Sequence, residues 1–325
     1  MTLSVIFHSL IAYIKNTFRG FNAMKYLLMY NPVSGRSNFK INIPLIKKVF
    51  DKSHHTLTIY ESKAAKDLQQ KALEESSNYD VFLVAGGDGT ANEVLNGVMR
   101  SKVKPVIGLL PSGTANDTAA ILGINKNIKR SLKIFMNETP ALIDVNQIND
   151  QYFFYTAASG LLTRVSYDIS RRHIKKYGYI AYVIAAVKDL SNEYRYPVRV
   201  KYDDKVVSME CAMILGLSSN RVGGMRLINF SKSRLNDGLF ELRFFKRVTS
   251  FWRFRLLSSF IRGGKKLRED LHIASNRFEI ETSSNVDWNA DGEFACKGSV
   301  VIQTHKESLS VFAHPKVVKK YIMPK

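Results

Sequence analysis

The segment VFLVAGGDGTANEVLNGV (81–98) holds the residues best suited to chemistry. An apolar run delivers the chain to Gly86-Gly87-Asp88-Gly89-Thr90, where three glycines leave backbone N–H groups bare enough to approach phosphate oxygens. Asp88 stands inside that loop, placed to hold Mg2+ against phosphate oxygens directly or through water. Thr90 is placed to N-cap the helix that follows, with Glu93 three residues on to complete a capping box. Without a ligand the same residues would make a tight strand–turn–helix junction. Three glycines around one acidic residue are a costly way to build a plain turn.

Two further segments repeat the design. LLPSGTANDTA (109–119) sets Ser112, Thr114 and Asn116 beside Gly113 and adds Asp117, while NPVSGRSN (31–38) offers Ser34, Gly35 and Arg36. Each alone reads equally well as a cap or a turn; the three together point to a polyphosphate. The pattern is not a Walker loop, since no G-x-x-x-x-G-K-[ST] occurs, nor a protein kinase, whose strand lysine and H-R-D segment are missing.

The apolar pattern supplies the elements that must position these loops. Short apolar runs at 26–30, 56–60, 81–85 and 106–111 alternate with helical segments near 39–52, 64–76, 91–100 and 115–122. That alternation predicts a parallel sheet in an α/β layout, whose carboxyl edge is where ligands bind. After about residue 143 the texture changes. Segments 143–147, 152–157, 196–202, 205–218, 239–246, 277–282 and 299–303 read as strands, joined by turn signals such as Asp203-Asp204 and Asn236-Asp237-Gly238. A mainly antiparallel second domain is expected, interrupted by a helix near 177–190. The expected division is an extension (1–23), an α/β domain (24–143, with 308–325 returning to it) and a β-rich domain (144–307), packed around a shared cleft.

An apolar fraction of 45% and a charged fraction of 23% over 325 residues are those of a globular protein rather than a disordered one. Lys plus Arg number 48 against 28 Asp plus Glu, a formal net charge of +20. Such a field favours polyanions: nucleic acid, nucleotide phosphates or an anionic membrane face. No helix-turn-helix, zinc-finger or RNP segment accompanies the charge, which argues against nucleic acid. Cys211 and Cys296 give neither a metal spacing nor a disulfide framework, and predict two buried thiols in a reducing compartment.

No apolar run reaches the roughly 18 to 20 residues that span a bilayer. In the first 23 residues Phe7, Leu10, Ile14, Phe18 and Phe21 recur at helical spacing, without the basic n-region of a signal peptide. This segment is either a membrane-surface helix or an extension upstream of a start at Met24, and the strand-like KYLLMYNP after Met24 favours the second reading. The stretch 251–268 mixes aromatic residues with Arg253, Arg255, Arg262, Lys265 and Lys266, as a membrane-facing element or an ordinary amphipathic helix would. Arg171, Arg172, Lys175 and Lys176 read as a solvated face.

NPVSG, GGDGTANEVLNG and PSGTAND, in this order and spacing, make the chain resemble the catalytic domain of diacylglycerol kinases and related sphingosine and bacterial lipid kinases, and most of all the bacterial soluble diacylglycerol kinases. The similarity continues through IDVNQIN (143–149), AASGLLTRVSYD (157–168), YGYIAY (177–182), SSNRVGGM (218–225), LNDGLFELRFF (235–245) and DWNADGEF (287–294), and so covers about residues 25–314. The G-G-D-G-T loop alone is less specific, because NAD kinases and phosphofructokinases carry close versions.

The resemblance implies a Rossmann-like α/β nucleotide-binding domain beside a β-sandwich domain, with ATP in the cleft, Mg2+ as the metal and a lipid hydroxyl as acceptor, diacylglycerol first. It implies ATP contacts at Asn31, Ser34, Gly35, Ser62 (where threonine is usual), Gly86, Gly87, Asp88, Gly89, Thr90, Glu93 and Thr114. Glu293 matches the family's general base and Asp144 a second acidic residue near the reacting groups. Asp237 matches a structural Mg2+ ligand, with Arg234 and Leu239 contributing backbone oxygens. A cytoplasmic protein is expected, peripheral at the inner membrane face, with a homodimer as the assembly to look for.

Two departures touch the nucleotide pocket: Thr118, Ala119 and Ala120 stand where Phe and, two residues later, Arg often follow PSGTAND, and a lysine of some bacterial members is replaced near Ala185. Read without the resemblance, Asp291-Gly292-Glu293 and Asn236-Asp237-Gly238 are turns and Asp144 ends a strand. Asp117 is left open between a structural and a catalytic role. Other lipids remain alternative acceptors. NAD kinase is a remoter alternative, unsupported by PSGTAND, the second-domain segments or D-G-E.

Overall fold

A computed structural model describes residues 23–33, 39–160, 195–219, 221–222, 225–226, 234–246, 255, 258–259, 262–268 and 270–322. Ser34, Gly35 and Arg36, the helix expected near 177–190, the basic cluster 171–176, Ala185, the amphipathic pattern of 1–22 and most of 251–261 lie outside them.

Strands β1 (Lys25–Tyr30), β2 (Thr56–Glu61), β3 (Val81–Gly86) and β4 (Val106–Pro111) form a parallel sheet in the order β2-β1-β3-β4. β3 is buried along its whole length and β1 and β4 along all but their first residues, because helices cover both faces of such a sheet. Those helices are α1 (Ile43–Phe50), α2 (Asp67–Glu75), α3 (Asp88–Arg100), α4 (Asp117–Ile121) and α5 (Ile128–Asn137).

The chain then turns antiparallel through β5 (Ala141–Ile148), β6 (Gln151–Phe153), β7 (Thr156–Gly160), β8 (Tyr196–Tyr202) and β9 (Lys205–Leu217). After the two-residue β10 (Arg221–Val222) and β11 (Met225–Arg226) come β12 (Phe240–Lys246), β13 (Leu271–Ser275), β14 (Arg277–Thr282), β15 (Asp287–Ala290), β16 (Glu293–Lys297) and β17 (Val300–Val311), then α6 (Pro315–Tyr321). β8 alternates buried and exposed residues, with one face in solvent. β9 loses that alternation from Cys211 onward, where β7 and β12 flank it.

β17 joins the layers: it pairs antiparallel with β14 and β5, and its last residue, Val311, pairs parallel with Ile107 of β4. Two apolar cores result. One is built around β1, β3, β4, α3 and Leu309–Ala313; the other around Trp288, Phe153, Phe240, Phe244 and Phe278. The strand expected near 299–303 runs on to Val311. The strand continues past a bulge at Glu307, which takes a positive φ of 46°.

Cys211 and Cys296 are both free thiols. Cys211 is buried as expected, whereas Cys296 is half-buried because β16 is an edge strand; burial pushes the thiols up to about 12 and about 11. Among the described residues no helix is long and apolar enough to cross a membrane.

Candidate active site

β3 ends at Gly86, and Gly87 turns the chain in an extended conformation (φ −94°, ψ −172°) directly into α3. The helix therefore begins at Asp88, three residues earlier than expected. This overturns the capping box, since Thr90 already lies inside the first turn and its side chain covers Gly86, where a Cβ would stand 2.4 Å from it. Glu93 sits in the second turn and reaches sideways to the backbone of Lys66 and Leu68 instead. What is left at the tip is a helix N-terminus whose first N–H groups lack intrahelical partners, with an acidic residue in its first turn.

Asp88 braces the neighbouring loop. Its carboxylate accepts the backbone N–H groups of Asp117 (3.1 Å) and Thr118 (3.0 Å) at the start of α4. Burial raises its pKa, partly opposed by those two hydrogen bonds. Gly113 lies flat on Gly87: a Cβ there would stand 2.5 Å from the Gly87 Cα. The 112–116 turn is closed by Asn116, which accepts the Gly113 N–H (2.8 Å) and donates to the Gly113 carbonyl (2.7 Å). Thr114 is exposed on this turn.

Asn31 and Ser62 lie at the same sheet edge. The Asn31 N–H donates to Ala85 (3.2 Å) and the Ser62 N–H to Tyr30 (2.9 Å). The Asn31 side chain accepts the Val33 N–H (3.0 Å), which shapes the start of the first loop.

Glu293 opens β16, across an Asp291-Gly292 turn from Ala290. Both turn residues take positive φ (50° and 91°), the geometry that a two-residue hairpin matched to strand twist demands. The turn carries the Glu293 carboxylate over the first turn of α3. A Cβ on Gly89 would stand 3.0 Å from its Oε1, so a side chain there would press on the carboxylate. Glu93 feels Glu293 as well: burial is the main cause of its raised pKa, and the Glu293 charge pushes the same way.

Asp144 belongs to a second cluster. Its carboxylate accepts the N–H groups of Gly238 (2.6 Å) and Glu307 (2.7 Å), and burial raises its pKa to about 6. It thus clamps the Asn236-Asp237-Gly238 turn to β17 and sits with Asp237 rather than with Glu293. Asp237 accepts the N–H groups of Leu239 (3.0 Å) and Arg234 (3.3 Å), so the three expected metal-site residues do share one turn. Burial raises the Asp237 pKa, with Glu241 adding to it, and a bound cation would relieve both effects. Among the described residues no group of three or more His, Cys, Asp or Glu side chains could hold a metal. One carboxylate with backbone oxygens is nonetheless a donor set that suits Mg2+, which keeps several waters.

Three residues that sequence reasoning passed over bind the site together. Asn92 and Asn96, one turn apart on α3, grip the second layer: both donate to the Tyr152 carbonyl (3.2 and 2.8 Å), and Asn96 accepts the Tyr152 N–H (3.0 Å). Two buried asparagines at i and i+4 on a helix otherwise apolar on that face were the legible signal. Tyr155 is buried among Asp88, Asp117 and Asp291, and its hydroxyl donates to Asp117 (3.4 Å); burial and these carboxylates drive its pKa far up. Asp117 is itself fully buried and ion-paired with Arg221 (3.3 Å), which supports the structural reading of that residue.

A glycine-loop α/β layer facing a carboxylate carried on an antiparallel layer is the layout of a nucleotide-dependent phosphotransferase. Residues 25–148 match the diacylglycerol kinase catalytic domain, and residues 156–313 the YegS C-terminal NAD kinase beta sandwich-like domain. The chain is 32% identical over 272 residues to the diacylglycerol kinase of Bacillus subtilis (strain 168), covering 82% of this chain and 89% of that one. It is 28% identical over 301 residues to the diacylglycerol kinase of Staphylococcus aureus (strain bovine RF122 / ET3-1), covering 91% and 94%. The crystal structure of a diacylglycerol kinase from Bacillus anthracis str. Sterne matches with a TM-score of 0.73 at 25% identity, over 91% of this chain and 99% of that one. The chain belongs to the diacylglycerol kinase family. As a member of a kinase family it takes ATP as phosphoryl donor.

Proposed function

We propose that the protein transfers the γ-phosphoryl group of ATP to the free hydroxyl of diacylglycerol, giving phosphatidic acid and ADP. One observation carries the reading: the Glu293 carboxylate rests on Gly89, in the first turn of the helix that opens from the glycine loop. The N–H groups at the start of α3, with Asn31, Ser62 and Thr114, hold the nucleotide phosphates, and the sequence resemblance adds Ser34 and Gly35 to them. Glu293 takes the proton from the lipid hydroxyl as that oxygen bonds to the γ-phosphorus and the bond to ADP breaks.

Asp237, with backbone oxygens of Arg234 and Leu239, would hold a structural Mg2+ in the turn that Asp144 clamps to β17. Asp144 acts through this turn, keeping Asp237 in place. The protein works at the inner face of an anionic membrane. The net charge of +20 supports this, as does the cluster Arg262, Lys265, Lys266 and Arg268, all exposed. Buried Arg243, which donates to the Gly264 carbonyl (2.7 Å), fixes that cluster to β12.

Incubation with γ-labelled ATP, Mg2+ and anionic vesicles carrying diacylglycerol, ceramide, phosphatidylglycerol or a polyprenol, with NAD as a soluble control, tests the reading. Label is expected in phosphatidic acid, less of it as salt rises, because the attraction decays within a Debye length of about 10 Å at 0.1 M. Label on another lipid would reassign the acceptor, and label on NAD would overturn the lipid reading.

A further inference from the structure

The hairpin that bears Glu293 carries a second carboxylate with a different fate. Asp291 is buried, and three successive backbone N–H groups converge on it: Phe154 (2.6 Å), Tyr155 (3.0 Å) and Thr156 (3.2 Å). The side-chain amide of Asn92 adds a fourth donor (3.2 Å). In return the Asp291 N–H donates to the Thr156 carbonyl (2.9 Å), and the Gly292 N–H to Asn289 (2.9 Å). We propose that Asp291 is a positioning residue for phosphoryl transfer, its carboxylate setting where Glu293 stands over the glycine loop. The proposal rests on the reading of Glu293 as the base.

Gly89, on which the Glu293 carboxylate rests, and Asn92, which grips Asp291, are three residues apart on α3 and so face the same way. The hairpin is therefore held to one side of one helix at two points, one turn apart. The β6–β7 connection and the first residue of β7 hold it from the other side through the three amides. Loss of the Asp291 grip frees the turn to slide along α3, and a displacement of the order of 1 Å is enough to lower turnover about 100-fold.

The grip requires a carboxylate. Phe154 and Asn92 donate to Oδ2, Tyr155 and Thr156 to Oδ1. An asparagine, whichever way its amide is turned, would point an NH2 group at two donors. Its size is otherwise that of Asp, so Asp291→Asn removes the acceptor without opening a cavity.

A cycle of Asp291→Asn, Glu293→Gln and the double variant, assayed for label transfer from ATP to short-chain diacylglycerol, tests the proposal. Asp291→Asn is expected to lower kcat by about tenfold or more with KM for ATP within about twofold, since it disturbs the base and not the phosphate loop. In the Glu293→Gln background the same change should cost less than about threefold, because the group it positions is already gone. Equal losses in both backgrounds would show a clamp that matters only to the fold, and a loss confined to KM would assign Asp291 to the nucleotide loop; either overturns the proposal. If Asp291→Asn does not fold, Asn92→Ala replaces it, removing one of the four donors; its smaller kcat loss should vanish in the Glu293→Gln background. Full activity of Glu293→Gln alone would sink the reading of the base and this proposal with it, whereas an inactive Glu293→Gln with additive losses sinks this proposal only.

Discussion

Glu293→Gln is expected to lower kcat by roughly 10²- to 10⁴-fold, the range that a positioned general base contributes. ATP affinity and thermal stability should stay near those of the parent. Glu293 is exposed at the first position of an edge strand, so the substitution opens no cavity. Glutamine keeps the shape that fits over Gly89 and loses only the ability to take a proton. Turnover by a pre-steady-state quench, with calorimetry for ATP binding, checks both halves. More than about a tenth of the parent kcat would remove Glu293 from the role.

Asp88→Ala should abolish nucleotide use. The Asp88 carboxylate holds the backbone N–H groups of Asp117 and Thr118, and so fixes the second glycine loop against the first. Its removal leaves two donors without an acceptor in a closely packed place, at about 1 to 3 kcal/mol each. It also frees the Gly87–Gly113 contact from its brace. Titration of ATP with Mg2+ by calorimetry should show binding lost or weakened beyond measurement. Unchanged affinity and activity would mean that the loop is only a turn.

The strands and glycine loops of the parallel layer were legible because each buried strand reads as a continuous apolar run and each glycine marks where the backbone must come close to something. Thr90 misled because Thr-x-x-Glu before an apolar run is a capping signature. Here the extended backbone of Gly87 turns straight into the helix, which starts at Asp88. β13, β15, β16, α5 and α6 went unread: the strands are four or five residues long, α6 has seven residues, and in α5 the helical spacing of Ile128, Leu132 and Phe135 was passed over.

Asp291 was hidden for a different reason. Asp-Gly in a hairpin looks solvated, and its burial is created by Asn92 and by Phe154 to Thr156, which are far away in the chain. The pairing of Asp144 with Asp237 is likewise a fact of topology, set by the bulge at Glu307. Only long-range packing shows which backbone groups each acid holds.

The most direct test of the central claim is the balance sheet of a single reaction. The unmodified protein, γ-labelled ATP, Mg2+ and short-chain diacylglycerol are mixed, and ADP and phosphatidic acid are measured together over the first turnovers. Direct transfer from nucleotide to lipid hydroxyl predicts that the two appear at equal rates, one for one, with all released label in the lipid. ADP formed with label in inorganic phosphate, or label passing to a different acceptor in the same mixture, would contradict it.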